Sequence, residues 1–188
     1  MQSTVKAVFF DIGGTLRVTR QGESRDSDKV RQMMTMLGVK GSIDSFSDYI
    51  RAGEKRYRKW CKPNFVELSE AELLTRFLLP DYPADFVRAN AITLNQLWRE
   101  ARRKYVLPDM VATMRALASR GYKLGLISNT TSSVEGYRLL EDNGIRDIFS
   151  AIVLSAEFGR RKPHPSIFLE ASRQAGVHPA ECAYVGDR

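Results

Sequence analysis

The first residue whose setting suits chemistry is Asp11, which ends an apolar run in VKAVFFDIGGTL, residues 5–16. A buried strand that brings a carboxylate to its carboxyl end and then turns on glycines places it in the crevice where open α/β sheets bind ligands. Asp11 is therefore a candidate nucleophile, although the same residues also read as an ordinary βα turn with Asp as a helix cap. Three later segments repeat the pattern. LISNTT carries Ser128 and Asn129 to a strand end, where hydroxyl, amide and free backbone N–H groups ahead of a helix suit phosphate oxygens, or serve as an N-cap. In FGRRKPHPSIF, Lys162 precedes a proline-constrained helix entry, where it is a point charge for phosphate or a carboxylate, or one surface lysine in a basic loop. AYVGD ends another apolar strand on Gly186 and Asp187. Two strand-end aspartates, Asp11 and Asp187, suit a shared Mg2+ that keeps several waters and takes substrate phosphate as a further ligand.

The elements that must position these residues alternate along the chain. Strands are expected at 5–10, 122–128, 151–155 and 182–186, with helices at 108–121, 133–144 and 165–176. Each of these helices ends on a glycine, as a helix C-cap does. The alternation implies βαβ units and an α/β fold on a parallel sheet. Between the first strand and Pro108, which should sit in the first turn of its helix, the periodicity is only helical. Helices are expected there at 26–37, 43–61, 69–79 and 84–104, as an inserted bundle.

Composition narrows the chemistry. The 188 residues suffice for one domain with a full core, or for a core with an inserted subdomain. No apolar run approaches the ~20 residues that cross a bilayer, so a cytoplasmic protein without a membrane partner is expected. Cys61 and Cys182 lie far apart and only His164 and His178 accompany them, which points any metal site to oxygen ligands. The net charge of +7 is concentrated at 51–62 and 99–105, within expected helices, where a solvated face is the simplest reading. No nucleic-acid-binding signature accompanies it. Arg51, Arg56 and Arg58 are candidates to reach an anionic tail of a substrate. Tyr57, Trp60, Phe86 and Trp98, at helical spacing, read as core.

In their order, these segments resemble the haloacid dehalogenase superfamily, in its phosphatase-like branch with a helical cap. The family's four motifs stand here as Asp11 with Thr15, Ser128, Lys162, and Gly186 with Asp187, and KPHPSIF is especially similar to phosphatase-like members. The resemblance spans essentially the whole chain. It implies a Rossmann-like core at 1–16 and 107–188, with an all-helical cap at 17–106 that closes over the site and selects substrate. It further implies that Asp11 attacks phosphorus to form an aspartyl-phosphate, beside Mg2+ held by Asp11, the Gly13 carbonyl and Asp187. Ser128 and the Asn129 backbone N–H would hold phosphate oxygens, Lys162 would stabilise nucleophile and transferring group, and Thr15 would orient the first loop against the substrate. The implied substrate is a small phosphorylated or anionic metabolite.

The chain departs from the pattern at Gly13, where phosphatases of the family carry a second aspartate as general acid and base. Glycine still offers a carbonyl, but loses a contribution of about 100- to 10,000-fold, or ~3–5 kcal/mol of barrier. A further acidic residue usually follows the Gly-Asp pair, whereas this sequence stops at Arg188, so the natural chain is expected to continue and the core to be C-terminally truncated. The leading expectation is a Mg2+-dependent phosphohydrolase or phosphotransferase whose substrate has a good leaving group or supplies its own acid. The alternatives are a catalytically weak binding or regulatory protein, a phosphonate hydrolase using Lys55, Lys59 or Lys62 as a Schiff base, and a 2-haloacid dehalogenase, against which Asp187 argues.

Overall fold

The computed structural model describes residues 4–19 and 25–187. Residues 1–3 and 188 of the expected core, and 20–24 of the expected cap, lie outside the described residues. Strand β1 (Ala7–Phe10) leads through a glycine turn to a short strand, β2 (Arg17–Val18). A helical segment follows: α1 (Ser27–Met36), α2 (Ile43–Asn64), α3 (Glu70–Leu73) with a π-helical turn at Leu74–Leu78, α4 (Ala84–Ala89) and α5 (Ala91–Glu100). Strand β3 (Tyr105–Val106) then pairs antiparallel with β2. The remainder runs α6 (Met110–Ser119), β4 (Lys123–Ser128), α7 (Glu135–Asp142), β5 (Phe149–Leu154), α8 (Ser155–Phe158), α9 (Pro165–Ala175) and β6 (Cys182–Val185).

The sheet has four parallel strands in the order β5-β4-β1-β6. Alternation divides its side chains between two faces. Phe10, Leu124, Leu126, Ile152 and Leu154 pack with Met110 and Met114 of α6 and Leu139 and Leu140 of α7. Ala7, Phe9, Ile127, Ala151 and Val153 pack with Ile167, Ala171 and Ala175 of α9. Helices thus cover both faces, as parallel sheets require. Gly125 makes this packing possible, because a Cβ there would lie 2.7 Å from the Phe9 ring. The helical segment buries a core of its own, in which Val30, Met33, Ile50, Tyr57, Leu73, Leu94 and Trp98 meet.

Chain order passes from β1 to β4 and β5 on one side and returns to β6 on the other, so β1 lies at a switch point, with Asp11 just beyond its carboxyl end. The expected glycine C-caps are present, with Gly121, Gly144 and Gly176 at φ 86, 62 and 60°.

Several boundaries differ from expectation. The span 84–104 is two helices that break at Asn90, whose φ of −111° and ψ of 13° are not helical and whose side-chain amide donates to the Phe86 carbonyl. Residues 69–79 end in a π turn closed by the Leu79 N–H on the Leu74 carbonyl. Pro108 lies ahead of α6, in the turn before its cap Asp109. The stretch 17–106 is not all helical, since β2 and β3 bracket it; two-residue strands are too short to show alternation. Among the described residues no helix is long and apolar enough to cross a membrane.

Candidate active site

The carboxyl ends of β4, β1 and β6 bring Ser128, Asp11 and Asp187 to one edge of the sheet. The Asp11 backbone N–H continues the β1–β6 pairing by donating to the Val185 carbonyl at 2.9 Å, which fixes where its side chain starts. One Asp11 oxygen, Oδ1, accepts from the Ile12 N–H at 2.7 Å. The other, Oδ2, lies 2.9 Å from Lys162 Nζ. That ammonium also donates to the Ile127 carbonyl at 2.8 Å and to the Tyr184 hydroxyl. Burial lowers the Lys162 pKa, against the pull of Asp11.

Asn129 holds the main chain of the same lysine. Its Oδ1 accepts from the Lys162 N–H at 2.7 Å and its Nδ2 donates to the Lys162 carbonyl at 3.0 Å. The Asn129 side chain therefore positions Lys162, a role that the sequence reading did not include. Ser128 is buried at the end of β4.

The glycine turn has two different halves. A Cβ on Gly14, whose φ is 76°, would lie 2.6 Å from Asp187 Oδ2, so only glycine lets this backbone approach Asp187. A Cβ on Gly13 would meet nothing within 4 Å. Local packing does not demand glycine at 13. The acidic side chains at this edge, Asp11 and Asp187, both offer oxygen donors. No cluster of three or more His, Cys, Asp or Glu side chains suited to a metal occurs among the described residues. Such a set fits a hard cation that keeps waters and takes a phosphate oxygen.

Asp11, Gly13, Ser128, Asn129, Lys162 and Asp187 all line one cleft of about 1190 Å³. Thr15 is not among its lining residues, and its buried hydroxyl has no hydrogen-bond partner among the described residues. Of the candidate Schiff-base lysines, Lys62 lines the cleft and Lys55 and Lys59 do not. Arg51, Arg56 and Arg58 do not line it either: Arg56 donates to the Phe77 carbonyl and Arg58 pairs with Glu54. Tyr57 and Trp98 are core, as their spacing suggested.

Sequence reasoning missed Tyr184. Burial first, and then Asp11 and Asp187, push its phenol well above the ordinary tyrosine range. Its ring stands edge-on to Phe168, with centroids 5.3 Å apart, and a Cβ on Gly186 would lie 2.9 Å from it. The signal available in the sequence is a phenol two positions before the Gly-Asp pair.

Two carboxylates tie the helical segment to the sheet beside the cleft. Glu135, the first residue of α7, pairs with Arg17 of β2, Arg99 of α5 and Lys104, and accepts from the Thr130 hydroxyl at 2.9 Å. Burial alone would raise the Glu135 carboxyl, but the three cations outweigh it and hold it well below the usual range. Burial, reinforced by Arg99, pushes Lys104 down to about 8. Glu67, which follows α2, pairs with Arg161 and accepts from the Tyr57 hydroxyl and, at 2.7 Å, from Ser155 Oγ. Its burial prevails over these partners and raises its pKa.

Comparison with known proteins matches the chain to a family and a fold. A family model described as "Hydrolase: haloacid dehalogenase-like hydrolase" matches residues 5–188. The glyceraldehyde 3-phosphate phosphatase of Methanopyrus kandleri is 30% identical over 187 residues, covering 98% of this chain and 76% of that protein. Its counterpart from Methanocaldococcus jannaschii is 30% identical over 188 residues, covering 98% and 77%. Among solved structures, a 2-haloacid dehalogenase from Pseudomonas syringae superposes with a TM-score of 0.67 at 24% identity, covering 98% of this chain and 79% of that one, a likeness of fold.

Proposed function

Because the chain belongs to the haloacid dehalogenase-like hydrolases, we propose that it is a phosphatase acting on a small phosphorylated metabolite of the cytoplasm, with Asp11 as nucleophile. The observation that carries this reading is the pairing of Asp11 Oδ2 with Lys162 Nζ at 2.9 Å in a cleft that Ser128 and Asn129 also line. The phosphatases of the two archaea support the substrate class. The helical segment, residues 17–106, serves as the cap over a core of residues 1–16 and 107–188.

An Asp11 oxygen attacks phosphorus while the bond to the leaving oxygen breaks, and the electron pair departs on that oxygen. Lys162 offsets the charge on the carboxylate and on the transferring group. Ser128 and the Asn129 N–H hold phosphate oxygens. Water then attacks phosphorus in the aspartyl-phosphate, returning the Asp11 carboxylate and releasing phosphate. Asp11, Asp187 and the Gly13 carbonyl would hold Mg2+, which when bound supplies charge neutralisation between the carboxylates and the phosphoryl group.

Gly13 has no group to protonate the leaving oxygen, so the leaving group departs as a weakly basic anion or the substrate carries its own proton donor. The test compares an acyl phosphate with alkyl phosphates, with and without Mg2+, in wild type and Asp11→Asn. Faster release from the acyl phosphate, a requirement for Mg2+ and Asp11, and a phosphate-sized mass addition on Asp11 are expected. Equal activity of Asp11→Asn, or the absence of any phosphoenzyme and turnover, overturns the reading. The open space at Gly13 admits a carboxylate, and Gly13→Asp is expected to raise alkyl-phosphate turnover by about 100-fold.

A further inference from the structure

The cleft that holds Asp11 carries more positive charge than one phosphoryl group requires. Among the described residues its lining has seven Lys or Arg against three carboxylates. Some of these cations have a counter-charge outside the Glu135 group. Lys162 pairs with Asp11, Arg161 with Glu67, and Arg102 reaches Glu54 at 3.3 Å, sharing it with Arg58. Among the described residues the excess lies with Arg17, Arg99 and Lys104, which share the carboxylate of Glu135.

An ion-pair network that merely joined the helical segment to the sheet would be expected to come closer to balance, because desolvating unmatched charge is costly. This one is short of negative charge by its own chemistry. Lys104 is pushed down to about 8 by burial and by Arg99 despite its contact with Glu135, and the buried Arg99 Nε has no hydrogen-bond partner among the described residues. The three cations also come from three separate elements: β2, α5 and the turn before β3. Guanidinium groups offer paired N–H donors suited to the oxygens of phosphate or carboxylate, and a cationic cleft concentrates such ligands.

We propose that Arg17, Arg99, Lys104 and the adjoining Arg102 form a second anion subsite, so that the substrate is a phosphomonoester bearing another phosphate or a carboxylate. This rests on the phosphatase reading and narrows its substrate class. The second anionic group docks on this wall while the scissile phosphate lies at Asp11. Both ends of the substrate thus occupy one cleft. Because β2 and the turn before β3 carry the chain into and out of the helical segment, the second group also touches both crossings.

The test uses wild-type protein with Mg2+ and three series of two to six carbons: alkyl monophosphates, α,ω-alkanediol bisphosphates and ω-phosphooxy carboxylates. At the length that spans the cleft, the doubly anionic substrate is expected to have a KM lower by about tenfold or more, the scale of one charge-assisted contact. Which series shows the advantage identifies the second group as phosphate or carboxylate. Lys104→Gln and, outside the Glu135 network, Arg102→Gln are expected to bring the KM ratio toward one. Hydrolysis of all three series with equal KM overturns the subsite and leaves the phosphatase reading intact. If none of these alkyl esters is hydrolysed, turnover of the acyl phosphate decides the phosphatase reading instead. Calorimetric titration of the same ligands then decides the subsite: tighter binding of the doubly anionic ones supports it, and equal binding removes it.

Discussion

Glu67 and Glu135 join the same two parts of the molecule from opposite directions. Glu67 belongs to the helical segment and reaches Ser155 and Arg161 beside the sheet, whereas Glu135 heads a helix of the sheet and reaches Arg99 and Lys104 of the helical segment. Glu67 is buried and Glu135 nearly so, yet their protonation moves oppositely. One cation and two hydroxyls leave the desolvation of Glu67 dominant, while three cations reverse it at Glu135. The number of opposing charges within reach, rather than depth of burial, sets the sign.

The largest effect that would break this contrast comes from Glu135→Gln. It strands Arg17, Arg99 and Lys104 without a counter-charge, and chemical denaturation is expected to show a loss of about 3–5 kcal/mol. Glu67→Gln is milder, at about 1–2 kcal/mol, because an amide oxygen still accepts from Tyr57 or Ser155. Should the two losses prove equal, cation number is not what separates the sites.

Acid titration sharpens the comparison further. The folded pKa of Glu67 lies above its ordinary value of 4.5, so its protonation linkage favours folding below that value and is lost as pH rises through the folded pKa. Wild type should therefore gain on Glu67→Gln as pH falls from 7 toward 4.5. The folded pKa of Glu135 lies below 4.5, so its contribution is present above that value and is lost only as pH falls through the folded one. Wild type should keep its advantage over Glu135→Gln down to 4.5 and lose it in stronger acid. Denaturation midpoints across this range check both signs.

A separate effect on the alkaline side concerns Lys104, which burial pushes down to about 8 against an ordinary 10.5. Between those values the unfolded chain binds the extra proton, so stability should rise with pH there. Lys104→Met should flatten that rise in alkaline denaturation curves.

Much of the fold was legible because strand alternation and glycine caps are local. The parallel sheet follows from its strands and intervening helices, and Ser128, Asp11 and Asp187 reach one edge because each ends or follows a strand. Local signals end where partners are distant. A two-residue strand such as β2 has no period, and the break at Asn90 depends on packing within the helical segment. Helical spacing reveals that Arg51, Arg56 and Arg58 lie on a helix without telling which face meets the cleft; the cations that line it include Arg17, Arg99 and Lys104 instead. Nothing local to Tyr184 marks it, because the Lys162 ammonium on its hydroxyl comes from 22 positions away.

The sequence by itself determined which polar residues stand at strand ends, because a period of two and the order of elements are written in the chain. It also determined that position 13 carries no acid or base. Only the tertiary structure decided that Gly13 faces open space while Gly14 is pressed against Asp187, which cations surround Glu135, and why Glu67 and Glu135 titrate in opposite directions. Those outcomes depend on burial and on distances between charges far apart in sequence, which exist only once the chain has folded.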